Sequence, residues 1–161
     1  MNALEKMIST CIVWLVVYLV SLFITNKTGV GSNVLKHALK RLAKMRKLCG
    51  KFQMRITSSS FSIKSKTSVI MLNEITRCQK SFLRILAVYL YDDKTDKDVK
   101  NARDYITDIP NYCRQALILA AEGSNSDIGD YFKQIETRIS SAESLIKKAL
   151  EYDIKAEMLK I

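Results

Sequence analysis

The 161-residue chain has few of the residues that interrupt helices. It contains a single proline, Pro110, and five glycines. Because a turn-rich β protein needs glycine and proline at its many chain reversals, this scarcity argues against an all-β fold and favours helices. No internal repeat or low-complexity tract is evident. The length suits one domain of about 100–150 residues with a short additional segment.

The chain also lacks the residue groupings of a metal centre. No two cysteines have C-x-x-C spacing, and His37 is the only histidine. A zinc site needs closely grouped Cys and His ligands, so we predict neither a metal nor a cofactor. Three of the cysteines fall on apolar helical faces, where a free thiol acts as a small hydrophobe, and reduced thiols fit a cytosolic domain. The four cysteines are Cys11, Cys49, Cys78 and Cys113.

Charge is missing altogether from residues 7–26, a mainly apolar run. About 20 apolar residues at about 1.5 Å each cross the hydrocarbon core of a bilayer. A cleaved signal peptide would have a basic start and a small-x-small site, neither of which is present; a buried core helix is the other alternative. Since Lys and Arg are concentrated after the run, the positive-inside rule places the N-terminus outside and the C-terminal domain in the cytoplasm. The sequence thus predicts a single-pass protein of the cytoplasmic membrane.

Acidic residues are absent from residues 26–73, and the net charge of +10 is concentrated in that stretch. Its Lys and Arg recur every three or four positions, opposite an apolar seam, so one helix has an apolar face and a basic face. Such juxtamembrane basic clusters attract anionic lipid headgroups. The alternative is a solvent-exposed basic face whose charge only determines the orientation of the protein in the membrane. The lack of base-stacking aromatic residues argues against nucleic acid as the partner. The candidate headgroup contacts are Lys36, Lys40, Arg41, Lys44, Lys47, Lys51 and Arg55.

Heptad-like apolar seams recur in four segments after residue 33 and predict an antiparallel bundle of about four helices. The fold class is therefore all-α: residues 1–26 as a transmembrane anchor, 27–33 as a glycine-containing hinge, and 34–161 as the bundle. Pro110 lies inside the third seam, so we expect a helix kink near Ile109. The seams are Leu35, Ala38, Leu42, Met45, Cys49, Phe52, Ile56; Met71, Ile75, Cys78, Phe82, Ile85, Tyr89; Val99, Ala102, Ile106, Ile109, Cys113, Ala116, Ala120; and Ile128, Phe132, Ile135, Ile139, Ala142, Ile146, Ala149.

Three short stretches are similar to one known family. They are DVKNARDYI at 98–106, DIPNY at 108–112 and YDIKAE at 152–157. In these, the chain resembles the XpaC-like proteins, which are named for hydrolysis of 5-bromo-4-chloroindolyl phosphate. The resemblance implies a bacterial membrane protein, in some cases associated with toxic-anion resistance. It assigns no catalytic residue to this chain.

No group of residues in the sequence has the pattern of a catalytic site. A phosphomonoesterase needs a nucleophile or a metal site, and the chain has neither an Asp/His cluster nor a Cys-x5-Arg loop. We therefore predict a membrane-anchored, non-enzymatic helical interaction or scaffold protein at the cytoplasmic face, with the bilayer, anionic headgroups and a protein partner or second copy as its contacts. The alternatives are a weak phosphoester hydrolase, as the family name suggests, and an oligomeric structural subunit of a membrane complex.

Overall fold

The computed structural model describes residues 30–58, 66–92, 96–123 and 125–159. Within these ranges the chain forms five helices and no strand. The predicted all-α helical bundle is therefore confirmed. The helices are α1 (Val30–Ile56), α2 (Lys66–Asp92), α3 (Lys97–Thr107), α4 (Ile109–Glu122) and α5 (Asn125–Met158).

The helices form a four-membered antiparallel bundle in which α3 and α4 together make one broken helix. α1 packs between α2 and α5, and the α3–α4 pair closes the ring by packing on both α2 and α5. The antiparallel order shows in the contacts: Gly31, at the start of α1, lies beside the ring of Tyr89, near the end of α2. Phe52, near the end of α1, meets Phe132, near the start of α5, with ring centroids 6.2 Å apart.

The core follows the apolar periodicity of the helices. Every residue of the predicted α1 seam is at most 4% exposed, and every residue of the predicted α5 seam is at most 5% exposed. In α2 two positions were predicted wrongly, because Leu72 and Leu86 are buried where the prediction placed their neighbours Met71 and Ile85. Both members of each pair are apolar, so the sequence left the rotation of α2 about its axis open, and contacts with α1 and α3–α4 determine it.

The kink was predicted near Ile109, and there α3 ends and α4 begins, with Asp108 between them. Pro110 occupies the first turn of α4, where a missing backbone N–H costs nothing because those groups have no intrahelical acceptor. The Asp108 carbonyl accepts from the amides of Asn111 at 2.9 Å and Tyr112 at 3.1 Å. These bonds start the new helix, and Pro110 is buried with it.

The predicted transmembrane architecture requires correction. Across the ranges given above, none of the helices is both long enough and apolar enough to cross a bilayer. This finding contradicts the single transmembrane helix of the predicted fold class and the predicted single-pass, inner-membrane localisation. The physical reason is that these helices carry charged side chains at helical intervals, which hydrocarbon does not tolerate. Residues 7–26, on which the prediction rested, lie outside the described residues.

The start of α1 also differs from the predicted hinge. Residues 30–33 form its first turn, whereas residues 27–29 lie outside the described ranges. Gly31 permits a close approach of helices here, because a Cβ at this position would lie 2.8 Å from Asp153 Oδ2 and 3.4 Å from the Tyr89 ring. Gly31 therefore serves packing between α1, α2 and α5.

Candidate functional site

Charge is divided unequally between the two sides of the bundle. α1 and α2 together contain twelve Lys and Arg but only two acidic residues, Glu74 and Asp92. The other three helices contain nine Lys and Arg against ten Asp and Glu. The bundle therefore has one strongly cationic layer, α1–α2, and one nearly neutral layer.

The centre of the cationic layer is a row of five exposed lysines on α1, which we call the basic stripe: Lys36, Lys40, Lys44, Lys47 and Lys51. They recur every three or four residues on the face opposite the buried seam, so the fold that buries the seam exposes the stripe. From first to last they span about 22 Å at 1.5 Å per residue. None of them forms an ion pair with another described residue.

The two predicted arginines lie on the edge of this stripe. Arg41 and Arg55 are half-buried rather than exposed, and both lie on the side of α1 that faces α2. The structure thus places five of the seven candidate contacts together on one open face and the other two at its margin. The eighth predicted position, Pro110, lies in the core of the helix break and does not take part in this face.

The opposite edge of α1 is held to α5 by Arg46. Its Nε donates to Glu136 Oε1 at 2.8 Å and its Nη1 to Glu143 Oε2 at 2.7 Å. The pKa of Arg46 is raised chiefly by its hydrogen bond to Glu143. The pKa of Glu143 is lowered by its hydrogen bonds, first to Lys147 and then to Arg46. Arg46 is therefore a structural cation, which separates it from the stripe.

Between α1 and α2 lies an open depression of about 290 Å³, which we call the α1/α2 groove. Sequence reasoning did not find it, because its two walls come from different helices, with Arg41 and Cys78 37 residues apart in the sequence. The Cys78 thiol lies at its floor, and burial raises the pKa of that thiol although Lys44 and Arg41 act to lower it. The residues that line the groove are Arg41, Lys44, Leu48, Glu74, Arg77 and Cys78.

The two other described cysteines, Cys49 and Cys113, lie in the core. The thiols of Cys49 and Cys113 hydrogen-bond to each other, and this bond together with burial raises the pKa of Cys49 far above its ordinary range. A thiol acts as a nucleophile only as the thiolate, so the raised pKa and the burial of Cys49 disfavour reaction of its thiol. Among the described residues, no three His, Cys, Asp or Glu side chains converge as metal ligands would.

The acidic turn between α2 and α3 has a structural role where the structure describes it. Asp96 caps α3, since its Oδ1 accepts from the Val99 amide at 3.0 Å. The buried Tyr89 hydroxyl lies 3.1 Å from Asp153 Oδ1 and 3.3 Å from Asp96 Oδ2 and donates its proton to this carboxylate pair. The turn thereby ties the ends of α2, α3 and α5 together.

Comparison with known proteins gives no family for this chain. No family model matches it, and no match was found among curated proteins or solved structures. The resemblance to the XpaC-like proteins therefore stays a prediction.

Proposed function

We propose that the protein is a non-enzymatic helical interaction module that binds anionic lipid headgroups through the basic stripe of α1. The bundle serves as a rigid frame: α2 and α5 fix α1 on two sides and leave its lysine face open. The contact is peripheral, between side chains and headgroups. The observation that carries the proposal is a row of five exposed lysines with no acidic partner among the described residues.

The kind of cation supports a lipid partner. Lysine is a flexible, compact charge that suits a fluid layer of headgroups, whereas arginine suits the bidentate recognition of fixed bases and phosphates. The stripe contains lysines alone, and Arg46 is occupied by Glu136 and Glu143. The row also follows one face of a single helix for about 22 Å, so its lysines can contact a planar surface together.

The neighbouring side chains favour the same partner. The only Phe, Tyr or Trp of α1, Phe52, is fully buried, so the stripe offers none of these three rings for stacking on nucleic-acid bases. Met54, three residues after Lys51 on the same face, is 68% exposed. An apolar side chain beside lysines can enter the boundary between headgroups and acyl chains, which adds to the electrostatic attraction.

The expected strength follows from the charge count. Each Lys near an anionic leaflet contributes about 1 kcal/mol, so neutralising four of them removes up to about 4 kcal/mol, close to a thousandfold in the binding constant. Because screening reduces these energies, raised salt should weaken binding steeply.

The test is co-sedimentation of the full chain with phosphatidylcholine vesicles that contain or lack phosphatidylglycerol. We expect the wild-type protein to prefer the anionic vesicles, and a variant with glutamate at positions 36, 40, 47 and 51 to lose that preference. The matched control places glutamate at four exposed lysines elsewhere, which gives the same change in net charge. These controls are Lys80, Lys97, Lys133 and Lys155.

The comparison of two vesicle types isolates the charge effect, since any apolar attraction acts on both. If the stripe variant and the control variant bind anionic vesicles equally well, the proposal is wrong. Binding of duplex DNA with no preference for anionic vesicles would also contradict it.

A further inference from the structure

The α1/α2 groove is lined by several cationic side chains that make no ion pair with other described residues. Arg41 and Lys44 of α1 and Arg77 of α2 all line it, and Glu74 is its only acidic residue. Within the described ranges none of the three cations is held in an ion pair. Three positive charges and one negative charge give the groove a formal charge of about +2 at neutral pH.

The chemistry of this lining matches one class of anion. A phosphomonoester has a second pKa near about 6 and is close to a dianion at neutral pH, whereas a phosphodiester carries a single charge. The planar guanidinium of arginine can hold two phosphoryl oxygens at once, while lysine supplies a point charge. Arg41 lines the groove from α1 and Arg77 lines it from α2. Lys44 adds a third cation on the α1 side.

The size of the groove also suits such a group. Since one water takes up about 30 Å³, a depression of about 290 Å³ holds a phosphoryl group together with several waters. The groove is open to solvent, so a headgroup can enter it without rearrangement of the helices. Lys44 belongs both to the groove and to the basic stripe, and the two surfaces are therefore continuous.

We propose that the α1/α2 groove is a phosphomonoester-binding site that gives the basic stripe a preference for headgroups with a terminal phosphate. This inference rests on the proposed function, because the stripe brings the protein to the anionic lipid surface. The groove then selects headgroups that end in a phosphate. A free phosphomonoester offers the same chemistry, and the experiment separates the two sources.

The first arm compares vesicles of matched surface potential that contain either phosphatidic acid or phosphatidylglycerol. We expect the full-length wild-type chain to bind phosphatidic acid about fivefold more tightly, the value of one charged contact. Arg77→Gln should remove this preference, and Lys80→Gln, an equal charge change three residues along the same helix and outside the groove, should keep it. Arg77→Lys should keep part of it.

A gain-of-function variant guards against misfolding. Glu74→Gln removes the one carboxylate of the groove, so it should strengthen binding of phosphatidic acid further while leaving phosphatidylglycerol binding less affected. Both Glu74 and Arg77 are exposed, and their replacement should leave the far-UV circular dichroism unchanged.

The second arm adds inorganic phosphate, with sulfate as a control, and follows thermal unfolding. If phosphate stabilises the wild-type chain and Arg77→Gln abolishes this effect, the groove binds free phosphate as well as lipid. If the chain prefers phosphatidic acid but phosphate does not stabilise it, the groove binds the lipid headgroup alone. If the wild-type chain shows neither, the groove inference is overturned while phosphatidylglycerol binding still supports the stripe. If stripe variants bind normally, the proposed function fails, and loss of phosphate stabilisation in Arg77→Gln still supports the groove.

Discussion

Arg46 joins α1 to α5, and its replacement by methionine tests whether this junction fixes the stripe-bearing helix. Methionine keeps an unbranched apolar stem of similar reach but removes the guanidinium. Three bonds are lost: those to Glu136 at 2.8 Å, to Glu143 at 2.7 Å and to Ser140 Oγ at 3.2 Å. Two carboxylates on one helix are then left without their arginine.

The magnitude follows from the exposure of the partners. Side chains are 36% exposed for Arg46, 55% for Glu136 and 25% for Glu143, so solvent screens the first pair more than the second. Exposed pairs contribute about 0.2–1 kcal/mol, and better-enclosed charged hydrogen bonds contribute more. We expect Arg46→Met to lower the free energy of unfolding by about 1–2 kcal/mol at neutral pH.

The pH dependence gives an independent check. The folded-state pKa of Glu143 lies below its ordinary value of 4.5. Its contribution to stability is therefore complete above pH 4.5 and is lost as the pH falls through the lower, folded-state value. The difference between wild type and Arg46→Met should accordingly be full at neutral pH and shrink in acid, once the carboxylates are protonated.

The assay is urea unfolding followed by far-UV circular dichroism at neutral and at acidic pH, with Glu143→Gln and the double variant completing a cycle. We expect a coupling energy between positions 46 and 143 of about 0.5–1 kcal/mol at neutral pH. Equal stability of wild type and Arg46→Met at neutral pH, or a difference that persists undiminished in acid, would refute this account of the junction.

Two further changes test the core and the acidic turn. Phe82→Ala removes a fully buried ring from α2 and should lower the free energy of unfolding in urea by about 3–5 kcal/mol. Lys80→Ala, on the exposed face, should leave it almost unchanged, and similar values for both variants would show that Phe82 is not part of the core. Asp96→Ala removes the cap of α3 and one acceptor of the Tyr89 hydroxyl and should cost about 1–2 kcal/mol, while Asp96→Asn, which keeps an acceptor for the Val99 amide, should cost clearly less; an equal loss in both would rule out the cap.

The sequence was sufficient to predict which segments form helices, because apolar residues at three- and four-residue steps leave one favourable way to bury them. It predicted the break at Pro110 for a local reason, the missing backbone N–H and the ring. It failed in α2 where Leu72 follows Met71, since adjacent apolar residues allow two rotations of the helix. The prediction of a transmembrane helix relied on residues 7–26 alone, and the described helices give it no support.

The candidate site was predictable only as far as it is local. The basic stripe follows from lysine spacing within a single helix. The groove needs Arg77 beside Arg41, and the junction needs Arg46 beside Glu143, which is 97 residues away. Such pairs depend on the antiparallel register of the bundle, which charge and periodicity do not specify.

Lysine footprinting measures the central claim directly, without any substitution. The full chain is acetylated with and without phosphatidylglycerol vesicles, and each lysine is quantified by mass spectrometry. Protection at Lys36, Lys40, Lys47 and Lys51, with Lys80 and Lys133 unprotected, is the result expected if the stripe contacts headgroups. Equal labelling of the stripe with and without vesicles, or protection centred on Lys133, would contradict it.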